Sequence, residues 1–234
     1  FNPVAVMPLI EVVNATKTNE VALSTAMVVA EKLRKNAIIT KDAPGFVVNR
    51  VLAKLLGEAM HAVEQGTPFE TVVEAQKPFG FPMDPFVLLE LVGLKVGAHV
   101  LDTHHAAFPE RFFESASLHE LAEYGHILEK DGKGKVTGYD KKALAIVVSH
   151  TAKDAKPYTA AELQKRIEDG LADEIHRMLE DGVVAAAEDV DLGMILGAGW
   201  PFQMGGATPY LDRVGASERA FGDTFHHPLI KGVA

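Results

Sequence analysis

Two polar residues interrupt apolar stretches of this sequence, and each could take part in chemistry. Glu11 lies inside "PLIEVV", whose leucine, isoleucine and valine residues are typical of a buried strand. It either faces solvent from an edge strand or orients a partner that lies outside this chain. Asn49 lies in "DAPGFVVNRVL", about one turn into a predicted helix. Gly45, just before that helix, permits a tight turn of the backbone into it. Because asparagine is unfavourable inside helices, Asn49 either faces water or uses its amide.

Two glycine-dense segments are candidates for a phosphate-binding loop. They are "GKGKVTG", from Gly132 to Gly138, and "GAGWP", which begins at Gly197. Neither has the G-x-G-x-x-G spacing between a strand and a helix that directs backbone N–H groups at a pyrophosphate. The sequence therefore predicts no cofactor-binding residues in this chain.

Histidine and glutamate clusters also favour structural roles. The adjacent pairs His104-His105 and His226-His227 diverge on a helix, and no metal-ligand spacing accompanies them. We interpret them as surface or capping histidines, and we predict no metal site. One further cluster, Glu58, His61 and Glu64, is spaced one helical turn apart, which is more typical of a solvated helix face than of an acid–base site.

Composition excludes several classes of function. The sequence contains no cysteine, which rules out disulfides, thiol catalysis and cysteine-ligated metals. Its formal net charge of −9 and the lack of a basic stripe argue against nucleic acid or an anionic membrane surface as a partner. No apolar run reaches the roughly 18 residues needed to span a membrane.

Periodicity predicts a short α/β segment followed by helices. Residues 1–42 are interpreted as strand, helix and strand, which we expect to be the edge of a larger sheet. From Gly45 onward apolar residues recur at three- and four-residue spacings, so the remainder is predicted to be helical, with a turn or loop at "EKDGKGKVTGYDKK". Helix starts are predicted at three Ser/Thr-x-x-Glu capping boxes, which begin at Thr67, Ser117 and Thr159.

The helical part contains an internal repeat. At one constant offset, the helix after Gly45 matches a later helix, with Arg50 over Arg166 and Glu58 over Glu174. Further along, "FGFPMDPFVLLELVG" matches "GAGWPFQMGGATPYLDRVG" after a small insertion. Because the matches are collinear across two elements, we interpret them as a duplication with a boundary near residues 155–157.

Four stretches together resemble the L-3-hydroxyacyl-CoA dehydrogenases of fatty-acid β-oxidation. They are "FNPVAVMPLIEVV", "KDAPGFVVNR", "GFPMDPFVLLELVGL" and "DGKGKVTGYD", which match that family in order and spacing over most of residues 1–140. The second copy resembles the tandem helical domain of multifunctional β-oxidation proteins, in which an enoyl-CoA hydratase precedes the dehydrogenase. The resemblance implies a mainly α fold in which tandem C-terminal helical domains follow the last strand–helix–strand of a truncated Rossmann domain.

The implied domains and site residues follow from the same motifs. Residues 1–43 would be the remnant of the NAD-binding domain, 44–155 the first helical domain and 156–234 a second, degenerate repeat. The family's opening motif reads His-Phe-Phe-Asn-Pro, so its catalytic histidine is expected two residues before Phe1. Glu11 matches the acidic partner of that histidine, and Asn49 matches the asparagine near the C3 oxygen of the substrate.

Two positions depart from the family pattern. Asp84 stands where the family usually has glycine, which affects the expected shape of the acyl pocket. Lys165 stands in the second copy where Asn49 would align, so a second active site is not expected.

The resemblance implies part of an NAD-dependent oxidoreductase that converts L-3-hydroxyacyl-CoA to 3-oxoacyl-CoA. NAD is expected to bind to the upstream domain, and the chain alone is expected to be inactive. Expected partners are the acyl-CoA substrate, upstream Rossmann and enoyl-CoA hydratase domains, a thiolase subunit and a second copy in a homo-oligomer, with a cytoplasmic location. The alternative is a non-catalytic helical module for assembly or dimerisation.

Overall fold

The computed structural model describes residues 1–227 and contains two compact units. One unit comprises Phe1–Leu52 together with the chain from Glu168 onward, and the other comprises Ala53–Ile167. The last residues of the predicted second repeat, 228–234, lie outside the described part. The helices are α1 Glu20–Lys32, α2 Val48–Glu64, α3 Phe69–Gln76, α4 Pro85–Val92, α5 Leu94–Ala107, α6 Ala116–Tyr124, α7 Lys141–Ser149, α8 Ala160–Glu180, α9 Ala187–Gly193, α10 Ala207–Arg213 and α11 Ala216–Phe221.

The first unit begins with the predicted strand, helix and strand. Strand β1, Leu9–Asn14, pairs in parallel with β2, Asn36–Lys41, so that Glu11 lies opposite Ile38. Helix α1 connects them, and the side chain of Asn19 accepts a hydrogen bond from the Ala22 N–H at its start. The predicted mainly helical fold with this short α/β segment is confirmed.

Both units have apolar cores built on the predicted helix faces. In the first unit Leu9, Ile38, Leu171, Ile175 and Trp200 are almost fully buried. In the second unit the buried side chains include Leu55, Phe69, Phe86, Leu89, Leu101, Leu118 and Ile127. Among residues 1–227, no helix combines the length and hydropathy that crossing a bilayer requires.

One part of the predicted helical region is a β-hairpin. Strand β3, Leu128–Lys130, pairs antiparallel with β4, Val136–Tyr139, across the segment that we predicted to be a turn or loop. Asp131 forms the turn by accepting hydrogen bonds from the N–H groups of Lys133 and Lys135. The alternation that marks a strand is missing here because only Leu128 is buried.

Only one of the three predicted capping boxes forms. Thr159 and Glu162 exchange the expected side-chain to backbone hydrogen bonds at 3.3 and 2.9 Å. Helix α6 begins earlier than predicted, with Ser115 as its N-cap, and helix α3 follows Pro68 without a side-chain cap. The Thr67 hydroxyl instead accepts a hydrogen bond from the Tyr158 N–H at 2.9 Å.

Equivalent contacts recur in the two predicted copies. The N–H of Thr67 donates to the Ala62 carbonyl after α2, and at the same offset the N–H of Val183 donates to the Met178 carbonyl after α8. Gly66 and Gly182, just before, both adopt left-handed backbone. This shared helix ending supports the duplication.

A second recurring contact uses aligned carboxylates on α4 and α10. Glu90 accepts hydrogen bonds from two successive N–H groups, those of Ile127 and Leu128, both at 2.9 Å. Asp212 accepts from the successive N–H groups of residues 225 and 226, both at 3.0 Å. The helix order after α2 is also repeated after α8, which supports a common origin for the two copies.

Candidate functional site

Glu11 binds the N-terminal end of helix α2. Its Oε1 accepts hydrogen bonds from the N–H groups of Val47 and Val48, both at 3.0 Å. The first N–H groups of a helix have no intrahelical partner and carry partial positive charge, so a carboxylate there is stabilising. Glu11 therefore joins β1 to the start of α2.

A tight turn directs these N–H groups toward Glu11. Gly45 has φ of 74° and Phe46 has φ of 49°, so two successive residues adopt left-handed backbone. The Phe46 N–H donates to the Ala43 carbonyl at 3.0 Å. Glycine is suited to the first position because it has no Cβ, whereas Phe46 is held in an unfavourable conformation by its surroundings. The predicted role of Gly45 in this tight approach agrees with that geometry.

Burial perturbs the charge of Glu11. Loss of solvent around the carboxyl raises its pKa, and the N–H groups of Val48 and Val47 act in the opposite direction. The net shift is upward. Glu11 therefore holds its proton more readily than an ordinary glutamate does, as expected of a carboxyl in a site with little water.

Asn49 lies at the same end of α2. It is the second residue of the helix and directly follows Val48, whose N–H binds Glu11. The fold thus brings Glu11 and Asn49 to one helix end from distant positions in the sequence. The side chain of Asn49 is exposed in this structure.

Two glycines of the second copy lie against the same helix end. The "GAGWP" segment follows α9 in a π-helical turn, Met194–Ala198, and both Gly193 and Gly197 pack against the side chain of Val48. Sequence reasoning considered this segment as a candidate phosphate loop and as part of the internal repeat, but it assigned the two glycines no packing role. The signal that it missed was the spacing of two glycines by about one helical turn.

The Glu58, His61 and Glu64 cluster does not converge on a site. Glu58 pairs with Arg166, the Nε to Oε2 distance being 2.6 Å, whereas Glu64 accepts hydrogen bonds from the hydroxyls of Ser115 and Ser117. The ring of His61 packs edge-on against a phenylalanine, and burial lowers its pKa. These residues hold helix ends together, and they are buried or half-buried, not solvated as we had predicted.

We predict surface or capping histidines, but each adjacent pair contains a member whose side chain is almost fully buried. His104 is buried, and its Nδ1 lies 2.7 Å from the Val100 carbonyl oxygen. The Nε2 of His226 lies 2.7 Å from the Thr208 hydroxyl, which in turn donates to Asp191 at 2.7 Å. Burial raises the pKa of Asp191 to about 6. This cluster anchors His226 to helices α9 and α10 of the second copy.

Asp84 has a structural role. As the N-cap of α4 it accepts hydrogen bonds from the N–H groups of Phe86 and Val87, both at 2.9 Å. Pro85 occupies the first helical position, which suits its fixed φ. Asp84, which stands where the family usually has glycine, therefore supplies a helix cap. The Asp-Pro dipeptide in the sequence is a typical sign of such a helix start.

Comparison with known proteins identifies the family. Residues 45–138 match the family model described as 3-hydroxyacyl-CoA dehydrogenase, C-terminal domain, and residues 1–43 match 3-hydroxyacyl-CoA dehydrogenase, NAD binding domain. The chain is also similar in fold to the crystal structure of 3-hydroxybutyryl-CoA dehydrogenase from Escherichia coli. The TM-score is 0.67 at 18% identity, over 97% of this chain and 67% of that one.

Curated relatives are similar over nearly the whole chain. The fatty acid oxidation complex subunit alpha of Acinetobacter baumannii (strain SDF) is 34% identical over 232 residues, and that of Pseudomonas syringae pv. tomato is 36% identical over 230 residues. Each match covers 93% of this chain but 32% of the relative, so the chain spans about a third of their length. Together, the two family models, the shared fold and these relatives show that the chain belongs to the 3-hydroxyacyl-CoA dehydrogenase family.

Proposed function

We propose that this chain is part of an NAD-dependent L-3-hydroxyacyl-CoA dehydrogenase that acts in fatty-acid β-oxidation. The observation that carries the proposal is the meeting of Glu11 and Asn49 at the start of α2 in a chain of this family. The names of the relatives, which are subunits of a fatty acid oxidation complex, support the pathway. The reaction would oxidise the 3-hydroxyl group of the substrate to a ketone.

Glu11 and Asn49 would have different roles in that reaction. Glu11 would hold the ring of a histidine supplied by the preceding family motif, and would stabilise the imidazolium that forms when this base takes the hydroxyl proton. The two N–H groups of α2 would fix the carboxylate of Glu11 while it does so. Asn49 would donate its amide N–H to the C3 oxygen as negative charge develops there.

The two glycine-dense segments do not fit the phosphates of NAD. Gly132 lies in the β3–β4 hairpin, and Gly197 faces the side chains of Leu9 and Val48, so neither segment offers a helix end that opens on empty space. We therefore propose that NAD, which would supply the hydride acceptor, is bound by residues outside this chain. Residues 1–43 would contribute the last strand–helix–strand of that domain.

Further partners form part of the proposal. The relatives are named as subunits of a complex, which supports an upstream enoyl-CoA hydratase domain and association with a thiolase subunit or a second copy. The exposed valines of α1, Val21 at 75% and Val29 at 48% exposure, supply an apolar face that another part of such an assembly could cover. The same face is the observation that favours the alternative, a purely structural assembly module.

Two measurements separate the alternatives. A longer polypeptide that includes the preceding family motif should reduce a 3-oxoacyl-CoA with NADH, followed by the loss of NADH absorbance. This chain alone should show neither that activity nor NAD binding in the micromolar range by calorimetry. Lack of activity in the longer, folded polypeptide would favour the assembly module, and micromolar NAD binding by this chain would contradict our assignment of the cofactor site.

A further inference from the structure

We propose that Gly193 and Gly197 of the second copy are positioning residues for the site at the start of α2. By lacking a Cβ, they allow the helical turn around residue 194 to close on Val48, and so hold the Val48 N–H in place for Glu11. The expected effect of these glycines on turnover rests on the proposed function. Their expected effect on the position of Val48 rests on the structure of this chain alone.

The packing at Gly197 leaves no room for a side chain. A Cβ on Gly197 would lie 2.7 Å from Cδ2 of Leu9, and 3.2 and 3.3 Å from the two methyl carbons of Val48. Leu9 is 1% exposed and Val48 is fully buried, so neither side chain can move aside into solvent. Gly197 therefore sets how closely the turn approaches β1 and α2.

Gly193, about one turn earlier, makes the same kind of contact. A Cβ there would lie 3.2 Å from Cδ1 of Ile38 and 3.2 Å from Cγ2 of Val48. Ile38 is the residue of β2 that lies opposite Glu11 in β1. The two glycines thus form one surface, the glycine wall, which contacts Val48, Leu9 of β1 and Ile38 of β2.

Backbone conformation does not account for these glycines. Neither residue is among the glycines with positive φ, and both lie in helical turns. Alanine in a helix is favoured over glycine by about 1 kcal/mol when nothing obstructs its Cβ. The close packing against Val48 is therefore the physical reason for glycine at both positions.

Val48 transmits this packing to the site. Its side chain contacts the glycine wall, and its N–H binds Glu11 at 3.0 Å. A β-branched side chain has little χ1 freedom, especially in a helix, so pressure on its methyl groups displaces the backbone as well. Asn49 follows directly and would move with it.

The first experiment needs no activity. Amide hydrogen exchange of Val47 and Val48 is compared in the wild-type chain, Gly193→Ala, Gly197→Ala and the control Gly132→Ala. A Cβ on Gly132 meets nothing within 4 Å, and this glycine does not have positive φ. We expect faster exchange at both amides in the two wall variants only, with the core amides of the second unit unchanged. Unchanged exchange at Val47 and Val48 in folded variants would overturn the inference.

The second experiment uses the longer, NAD-binding polypeptide. We expect kcat to fall on the order of tenfold in Gly193→Ala and more in Gly197→Ala, because small misplacements of positioned groups reduce the rate, while KM for acyl-CoA stays within about twofold. Gly132→Ala should leave both constants unchanged. A folded Gly193→Ala enzyme with wild-type kcat would contradict the inference, whereas an inactive wild-type enzyme would contradict the proposed function instead.

A double variant tests the route through Val48. Val48→Ala removes the Cγ2 methyl that a Cβ on Gly193 would meet at 3.2 Å, and it leaves the contact with Cδ1 of Ile38 in place. We express each kcat as a fraction of the wild-type value. If Gly193 acts through Val48, the fraction for Gly193→Ala/Val48→Ala should exceed the product of the fractions for the two single variants. Strict additivity of the two substitutions would mean that the glycine wall does not act on the site through Val48.

Discussion

Arg50 Nε lies 2.5 Å from Glu174 Oε1, and both side chains are buried. The aligned residues form the reverse pair, with Arg166 Nε 2.6 Å from Glu58 Oε2. The ion pair joins the start of α2 to α8 within the first unit, and it fixes the helix end that carries Asn49.

Breaking this pair should strongly destabilise the chain. We expect Arg50→Met to lower the free energy of unfolding by about 3–5 kcal/mol, because the charge of Glu174 would stay buried without its partner. The exposed pair of Arg177 and Asp173 provides the matched control, and Arg177→Met should cost less than about 1 kcal/mol. Urea unfolding measures both values, and equal losses would contradict the assignment.

Two substitutions of Glu11 should separate its helix contact from its charge. The amide oxygen of Glu11→Gln can still accept the N–H groups of Val47 and Val48, so the unfolding free energy should change little. Glu11→Ala leaves those donors without their partner and should cost about 1–3 kcal/mol. In the longer enzyme both variants should reduce turnover and leave NAD affinity nearly unchanged. An equal loss of both by Glu11→Gln would reduce Glu11 to a structural role.

Asn49→Ala should affect catalysis far more than stability. Removing a donor to a developing oxyanion typically costs on the order of 10²–10³ in turnover, or about 3–4 kcal/mol. The side chain is exposed, so the melting temperature should hardly change. Lys165→Ala, at the aligned position of the second copy, is the control and should retain full turnover. Normal kinetics in a folded Asn49→Ala enzyme would leave Asn49 as a solvent-facing helix residue.

The stability of the chain should depend on pH through Asp191. Its pKa is about 6 in the folded chain against an ordinary value of 3.8, so the folded state binds a proton more tightly. This carboxyl therefore contributes its full stabilisation below about pH 4 and loses it as the pH rises to about 6. His226 is its titratable neighbour, with Nε2 3.6 Å from Oδ2 of Asp191, and Oε1 of Glu188 lies 3.9 Å from Nδ1 of the same histidine.

Asp191→Asn should make the free energy of unfolding less dependent on pH between 4 and 6. The exposed Asp154 supplies the control, since Asp154→Asn should preserve the wild-type slope. Urea titrations at a series of pH values make the comparison. A wild-type slope in Asp191→Asn would show that another group, such as Glu11, dominates in this range.

The parts that sequence predicted well depend on local patterns. Strands β1 and β2 have apolar runs, and α2 has apolar residues at helical spacing, so periodicity was sufficient. Gly45 could be interpreted in the same way, because only a tight turn there needs its conformational freedom. Family motifs then added Glu11 and Asn49 as candidates, and their roles stay predictions.

The parts that sequence missed depend on contacts between distant residues. Glu11 binds backbone N–H groups, which leave no mark in the side-chain pattern of α2. Ser117 was assigned to a capping box because its spacing from Glu120 fits. In the structure the hydroxyl and the N–H of Ser117 instead donate hydrogen bonds to Glu64. The β3–β4 hairpin escaped prediction because it is a two-stranded, mostly exposed element without a buried face.

The division of the chain into units also bears on how a duplicated copy without Asn49 can persist. Each unit combines residues from both copies. The unit that contains Glu11 also contains Glu174, Gly193 and Gly197 of the second copy. Deletion of the second copy would therefore remove residues that form the core around the first copy. The second copy is thus required for folding even without a catalytic residue of its own. Gene duplication in this lineage would then have become irreversible once the two copies shared a core.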